Sequence, residues 1–193
     1  MRRAAVALVV VALGLGLGSC GTGSSSSGTQ RTSSPSTSST EVTSTIQRPL
    51  PAGRFPSKIS KMICAPEAQG HVAHVLGVTA HVSTPTWVSH LYSCRFEYSD
   101  GTLVLSVKEL SSWPQTLAYF HSLGADLGDA DSLGNLGQGA FTTKNGSVVV
   151  RKDWKVLLVD IASLPGQFGK PPTSRADVAF TVADVILGCW SGD

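Results

Sequence analysis

The sequence predicts an α+β domain with two layers, in which helices pack on one face of a mainly antiparallel sheet. Beyond residue 57, the spacing of apolar residues predicts the order helix, strands, helix, strands, helix. The strands come in pairs joined by short turns, which favours an antiparallel sheet. Because no second linker interrupts residues 58–193, we expect a single domain there, long enough to bury roughly two-thirds of its unfolded-chain surface.

The first helix is predicted to begin at Pro66, because the fixed φ of proline suits the first helical position. Apolar side chains then recur at helical spacing and form one face, at Ala68, Val72, Val75 and Leu76. Gly77 follows directly, and a glycine at this point commonly ends a helix in the left-handed conformation. We therefore expect a short helix with one buried face.

Two alternating segments predict a hairpin. Residues 92–98 alternate apolar and polar side chains, and residues 103–107 do the same. Between them, Ser99, Asp100 and Gly101 favour a turn. The pair should form two strands that share one apolar face.

A capping box predicts the second helix. Ser112 and Gln115 have the spacing at which the two side chains satisfy free backbone N–H groups at the start of a helix. Leu117 and Phe120 follow within the helix, and Gly124 is its expected end. A loop rich in glycine and aspartate is expected next.

The dipeptide Asn145-Gly146 predicts a second hairpin between residues 140–143 and 148–150. This dipeptide supplies the two positive φ angles that a tight type I′ turn requires. Residues 151–153 should connect to a further strand over residues 154–161, whose apolar run is nearly continuous.

A terminal helix is predicted to open at Ser174, with Asp177 three residues later. The apolar side chains that should share one face of this helix are Ala179, Ala183, Ile186 and Leu187.

The N-terminus resembles a bacterial lipoprotein signal. Arginines at positions 2 and 3 precede an apolar run over residues 4–17, shorter than the roughly 20 residues that a membrane-spanning helix needs. The run closes on Leu-Gly-Ser-Cys at 17–20. The resemblance implies a signal peptide over residues 1–19 and a mature chain that begins at Cys20, modified with acyl chains such as palmitate. A conventional signal peptide, which would leave Cys20 a thiol, and an uncleaved helix are the alternatives.

Residues 20–57 are predicted to be the lipidated cysteine and a disordered tether. The segment is mostly glycine, serine, threonine, proline and glutamine, a composition that cannot bury enough apolar area to offset its ordering entropy. A flexible chain of this length spans roughly 35 Å. Since two or three acyl chains hold a protein on a bilayer, we expect the domain on the outer face of the cytoplasmic membrane.

Four features of the domain form a recognisable set. They are Cys64 at the first helix, Cys94 in a strand, the approach to a strand over residues 136–141, and a closing helix rich in alanine and valine. With them, residues 63–190 resemble the small actinobacterial lipoproteins, many of them mycobacterial, whose secreted domains have no assigned function. The resemblance supplies no catalytic residues.

An extracytoplasmic compartment permits disulfides. The resemblance implies a bridge between Cys64 and Cys94, which also agrees with a sheet that must cover the first helix. Two alternatives are a bridge from Cys189 to either of them and a half-buried thiol at Cys189.

No cluster of ligands predicts a metal site. His71 and His74 have helical spacing, but zinc needs three or four converging ligands. Asp126, Asp129 and Asp131 lack the spacing and the closing glutamate of a calcium loop, and we interpret them as a solvated turn. We expect neither a metal nor another cofactor.

The glycines at 134, 137 and 139 do not form a phosphate loop, because no helix and no Lys-Ser/Thr pair follows them. They are expected to shape the entry to the next strand. The hydrolase signatures Gly-x-Ser-x-Gly, His-Glu-x-x-His and Ser-x-x-Lys are also absent from the sequence.

Trp87, in the segment 85–87, is the candidate for contact with a partner, since aromatic side chains line ligand pockets. Trp113 and Trp154 are expected in the core. The net charge of +2 is spread along the chain without a basic stripe, so nucleic acid is not an expected partner.

These observations favour a lipid-anchored, non-enzymatic binding or accessory module of the cell envelope, with the membrane and an envelope protein or lipid as its partners. Two alternatives stay open. One is a carrier that holds an acyl or glycolipid ligand in a cavity between sheet and helices. The other is an enzyme acting on envelope polymers, which requires a cleft with converging titratable groups.

Overall fold

The computed structural model describes residues 49–190. Within this range the helices are α1 (Lys58–Met62), α2 (Pro66–Leu76), α3 (Trp113–Leu127) and α4 (Arg175–Gly188). The strands are β1 (His81–Val82), β2 (Thr86–Val88), β3 (Leu91–Tyr98), β4 (Gly101–Glu109), β5 (Asp129–Leu133), β6 (Ala140–Thr143), β7 (Val148–Lys152), β8 (Lys155–Asp160), β9 (Gln167–Phe168) and β10 (Thr173–Ser174). The predicted signal peptide, Cys20 and most of the predicted tether lie outside the described residues.

Eight strands form one sheet in the order β1-β3-β4-β8-β7-β6-β5, and β2 pairs with β3 beside β1. All neighbours in this sheet are antiparallel. The strands β9 and β10 make a separate antiparallel pair. The predicted α+β class with an antiparallel sheet is therefore confirmed.

Different helices cover the two faces of the sheet. On one face, Leu157 and Val159 of β8 share a core with α2 and α4. On the other face, Val156 shares a second core with Phe120 of α3. The sequence predicted helices on one face only. The second covered face is explained by β7 and β8, whose apolar side chains are buried on both sides.

The predicted first helix and first hairpin are both present. Helix α2 begins at Pro66 and ends at Gly77, which adopts the left-handed conformation with φ +63°. Strands β3 and β4 pair over their full length, from Leu91 opposite Lys108 to Tyr98 opposite Gly101. Local signals were sufficient for these elements.

Helix α3 begins as predicted and continues further. The Ser112 side chain accepts a hydrogen bond from the Gln115 backbone N–H, and the Gln115 side chain accepts one from Ser111. The helix runs through Gly124 and ends at Gly128, whose φ is +72°. The prediction that Gly124 ends the helix was wrong.

The second hairpin is present, but its turn is not type I′. Only Gly146 has a positive φ, +90°, and its N–H donates to the Thr143 carbonyl oxygen at 2.8 Å. Such three-residue loops usually end with a glycine in the left-handed conformation. Two consecutive positive φ angles occur instead at Asp153 and Trp154, 50° and 58°, and also at Ser89 and His90, 51° and 60°. Trp154, predicted to begin the strand over residues 154–161, therefore lies half-buried in the turn before β8.

The terminal helix α4 opens at Ser174, whose side chain accepts from the Asp177 N–H at 3.1 Å. No helix within residues 49–190 is both long and apolar enough to cross a bilayer.

The disulfide between Cys64 and Cys94 is present, with their Cα atoms 6.0 Å apart. It joins the turn before α2 to the middle of β3. The side chains of both cysteines are buried. The alternative bridges to Cys189 are not formed.

The ordered domain extends beyond the predicted boundary at residue 58. The Ala52 N–H donates to the Leu110 carbonyl oxygen, and the Ser57 N–H donates to the Glu109 carboxylate at 2.8 Å. Residues 52–57 of the predicted tether thus lie against the end of β4.

Candidate functional site

A pocket of about 530 Å³ lies between α3 and the strands β5, β6 and β7. It is open to solvent, and charged, polar and aromatic side chains line it together. Such a combination is typical of sites that bind and orient a small ligand. This pocket, the Arg151 pocket below, is the candidate functional site.

Arg151 is positioned by its strand, β7, and by Gly139, which lies beside it just before β6. The Arg151 N–H donates to the Gly139 carbonyl oxygen at 2.9 Å, which places the two residues side by side. A Cβ atom on Gly139 would lie 2.7 Å from Arg151 Nε and 3.0 Å from Cζ. The arginine side chain therefore crosses the space that the missing side chain leaves.

Two aromatic rings of α3 hold the guanidinium group of Arg151. Its Cζ atom lies 4.6 Å from the centre of the Trp113 ring and 5.5 Å from that of Phe120. Both distances are within the range of a cation–π interaction. The rings thus fix the position of the positive charge without using its hydrogen-bond donors.

One of those donors is buried and unused. Among the described residues, Arg151 Nη1 has no hydrogen-bond partner although it is shielded from solvent. Leaving a buried donor unsatisfied costs about 1–3 kcal/mol, and more for a charged group. Arg151 also lines the pocket, so a ligand there would meet the atoms of its side chain that are not shielded.

Aromatic rings also form the middle of the pocket. Phe120 and Phe141 meet edge to face with their centres 4.9 Å apart. Gly124 lies beside this region, where a Cβ atom on it would make ordinary van der Waals contacts with Phe141 Cζ and Asp129 Cβ, both at 3.7 Å.

The other end of the pocket is acidic. Asp129 and Asp131 line it from β5, where the register is irregular between them. They were expected in a solvated turn, and the structure places them in a strand. Ser132 and His121 also line the pocket, but within residues 49–190 no group of three histidine, cysteine or acidic side chains is placed to hold a metal ion.

A second pocket of about 700 Å³ lies where the end of α2 meets the β3–β4 turn and residues 167–172. Tyr98 lines it, and its ring meets Phe168 edge to face at 4.8 Å. In the described part of the chain its hydroxyl group is buried without a hydrogen-bond partner. Burial raises the pKa of Tyr98 to about 12, so this hydroxyl is neutral at physiological pH.

Trp87, the predicted partner contact, lies half-buried in β2. Its Nε1 donates to the Arg54 carbonyl oxygen at 3.0 Å, and its ring packs edge-on against His90 at 5.7 Å. His90 Nδ1 in turn lies 3.1 Å from the Gly53 carbonyl oxygen. The indole thus holds the N-terminal segment at residues 53 and 54. The next residue, Val88, is 67% exposed. Contact of Trp87 with a partner stays a prediction.

Sequence reasoning did not find Arg151, because its role depends on residues far away in sequence. Trp113 was expected in the core, but its ring is 37% exposed and lies over the guanidinium group. The glycines at 137 and 139 do lead into β6, as expected, where the Gln138 N–H donates to the Arg151 carbonyl oxygen at 2.9 Å.

Comparison with known proteins identifies no relative. No protein-family model matches the chain, and searches of curated proteins and of solved structures return no match. The function must therefore be inferred from the residues of the chain itself.

Proposed function

We propose that the protein is a lipid-anchored module of the cell envelope that binds a small ligand in the Arg151 pocket without transforming it. The observation that carries the proposal is Arg151, whose guanidinium group is held by two aromatic rings and which lines a pocket of about 530 Å³. A ligand that bears a carboxylate or phosphate group would pair with this positive charge, and such charge-assisted hydrogen bonds are strong.

The extracytoplasmic location has separate support. The Leu-Gly-Ser-Cys pattern at 17–20 and the long polar segment after it are typical of a lipidated, tethered protein. The disulfide between Cys64 and Cys94 fits an oxidising compartment. In this proposal, Cys20 carries the acyl chains on the outer face of the cytoplasmic membrane.

The carrier alternative is less well supported, because a lipid tail needs a deep apolar cavity. Between the sheet and the helices α2 and α4, the space is filled by buried core side chains such as Leu105, Leu157 and Ile186. Both large pockets instead open to solvent and include charged residues.

One observation favours a second candidate, an enzyme acting on envelope polymers. The Arg151 pocket gathers Ser132, His121 and Asp129, the residue types of a hydrolytic triad. Labelling with a fluorophosphonate probe tests this candidate. Labelling that is lost in Ser132→Ala would establish a nucleophilic serine and replace the non-enzymatic proposal.

Mass spectrometry of the full chain, purified from the membranes of the organism that makes it, tests the main proposal. We expect a diacylglycerol modification on Cys20 and a small anionic ligand that is released on denaturation. Arg151→Gln should lose the ligand, and the control Arg95→Gln, which changes an exposed arginine of β3, should retain it. An unmodified Cys20 in a soluble protein would overturn the anchoring, and a ligand retained by Arg151→Gln would overturn the site.

A further inference from the structure

The Arg151 pocket has opposite charges at its two ends. The guanidinium group of Arg151 lies beside Phe120 at one end, and Asp129 lies beside Phe141 and Gly124 at the other. The two phenylalanine rings meet between them, with their centres 4.9 Å apart. The positive and negative groups are thus separated by an apolar floor.

From this arrangement we infer that the ligand is a short peptide of two or three residues with free termini. The inference rests on the proposed function, since it names the class of ligand that the same pocket takes. A simple anion would use Arg151 but would be repelled by the carboxylate of Asp129. A ligand with an ammonium group at its other end turns this carboxylate into a favourable contact.

The chemistry of each terminus matches the group that would meet it. A carboxylate accepts hydrogen bonds from a guanidinium group such as that of Arg151, which lines the pocket. An α-ammonium group donates to carboxylates, and Asp129 lines the pocket beside Gly124. An extended peptide advances about 3.5 Å per residue, and the two ring centres lie 4.9 Å apart, so two or three residues are long enough to cross both rings.

The pocket is already organised for this ligand. The rings of Trp113 and Phe120 fix the guanidinium group, so little side-chain entropy remains to be lost when a carboxylate binds. The volume of about 530 Å³ also suits a ligand of this size. Small apolar side chains of the peptide would pack on Phe120 and Phe141.

Isothermal titration calorimetry on the full chain tests the inference with three probes. Ala-Ala-Ala carries both charges, N-acetyl-Ala-Ala-Ala carries only the carboxylate, and Ala-Ala-Ala-amide carries only the ammonium group. We expect saturable binding of Ala-Ala-Ala and a loss of at least about tenfold in affinity with each blocked probe.

Variants assign each terminus to its end of the pocket. Arg151→Gln should weaken Ala-Ala-Ala at least about tenfold and remove the difference between the free and the amidated probe. Asp129→Asn should remove the difference between the free and the acetylated probe. The control is Asp126→Asn, which changes an exposed carboxylate of α3 that does not line the pocket, and it should change neither difference.

The outcomes separate this inference from the proposed function. Equal affinity for Ala-Ala-Ala and its N-acetyl form would overturn the peptide inference and leave an anion-binding module. No binding of any probe would also overturn it, while the ligand released from the native protein still tests the proposed function. Binding that Arg151→Gln leaves unchanged would overturn both at this site.

Discussion

The carboxylate of Glu109 accepts a hydrogen bond from the hydroxyl group of Ser60, and both residues are buried. Glu109 ends β4 and is only 4% exposed, and Ser60 lies on the inner face of α1. The same carboxylate accepts the Ser57 N–H, and Lys155 lies directly opposite on β8. The short helix α1 is therefore attached to the sheet by a buried acidic side chain.

Removal of this carboxylate should destabilise the domain. We expect Glu109→Ala to lower the free energy of unfolding by about 3 kcal/mol, because the donors of Ser57 and Ser60 lose their acceptor in a buried site. Urea unfolding measures the change. The control Glu97→Ala removes an exposed carboxylate of β3 and should stay within about 0.5 kcal/mol of the parent chain. Equal effects of the two substitutions would contradict the attachment.

The disulfide should stabilise the domain. Cys64 and Cys94 close a loop with a sequence separation of 30 residues, for which the loop-entropy model gives about 3.5 kcal/mol. We expect the double variant Cys64→Ala, Cys94→Ala to lose most of this free energy, measured by urea unfolding under oxidising conditions. A reducing agent should destabilise the parent chain and leave the double variant unchanged. A parent chain that is insensitive to reduction would contradict this prediction.

Ionisation of Tyr98 should weaken the domain at high pH. Burial raises the pKa of Tyr98 to about 12, above its usual value of 10.0. The folded state then holds this proton more tightly than the unfolded state, so the stability contribution is fully present below pH 10 and is lost as the pH rises towards 12. We expect the urea midpoint to fall over this window, and to fall less in Tyr98→Phe.

The pKa values of Tyr92 and Tyr119 are also raised by burial, and that of Tyr119 by the charge of Asp126 as well. Absorbance titration at alkaline pH should therefore show three tyrosines that ionise late, the last of which is missing in Tyr98→Phe. At neutral pH this substitution should be nearly neutral for stability, because the hydroxyl group it removes is buried without a partner in residues 49–190.

Local signals predicted the elements whose ends are set by neighbouring residues. Pro66 and Gly77 bound α2, Ser112 begins α3, and Ser174 begins α4, because caps and turns act within a few residues. Gly124 was misinterpreted because a glycine is also tolerated inside a helix, and here α3 continues to its C-cap at Gly128.

The features that sequence reasoning missed depend on contacts between distant residues. The apolar run of β8 is consistent with a strand buried on both faces, but it did not show that α3 covers Val156 while α2 and α4 cover Leu157. Arg151 lines the pocket because the fold places Trp113 and Gly139, which are distant in sequence, against its side chain. The periodicity of apolar residues describes one helix or strand at a time. A pocket is formed by several of them, so this periodicity does not predict it.

Gly139 is expected to control the position of the guanidinium group. A Cβ atom there would lie 2.7 Å from Arg151 Nε, closer than real contacts allow, so Gly139→Ala should displace the side chain of Arg151. We expect at least a tenfold loss in affinity for Ala-Ala-Ala, with a change in unfolding free energy of about 1 kcal/mol. Gly134→Ala is the control, because a Cβ atom at Gly134 meets no atom within 4 Å, and its affinity should equal that of the parent chain.

Trp87 is expected to hold the N-terminal segment on the sheet. Trp87→Phe keeps an aromatic ring beside His90 and removes the donor to the Arg54 carbonyl oxygen, so the expected cost is about 1 kcal/mol. The loss should be local, since the segment contributes little to the main core. Hydrogen exchange should therefore show faster exchange at Ala52, whose N–H donates to the carbonyl oxygen of Leu110, and unchanged exchange in β7 and β8. Uniformly faster exchange would mean that the indole supports the whole domain, and unchanged exchange at Ala52 would mean that other contacts hold the segment.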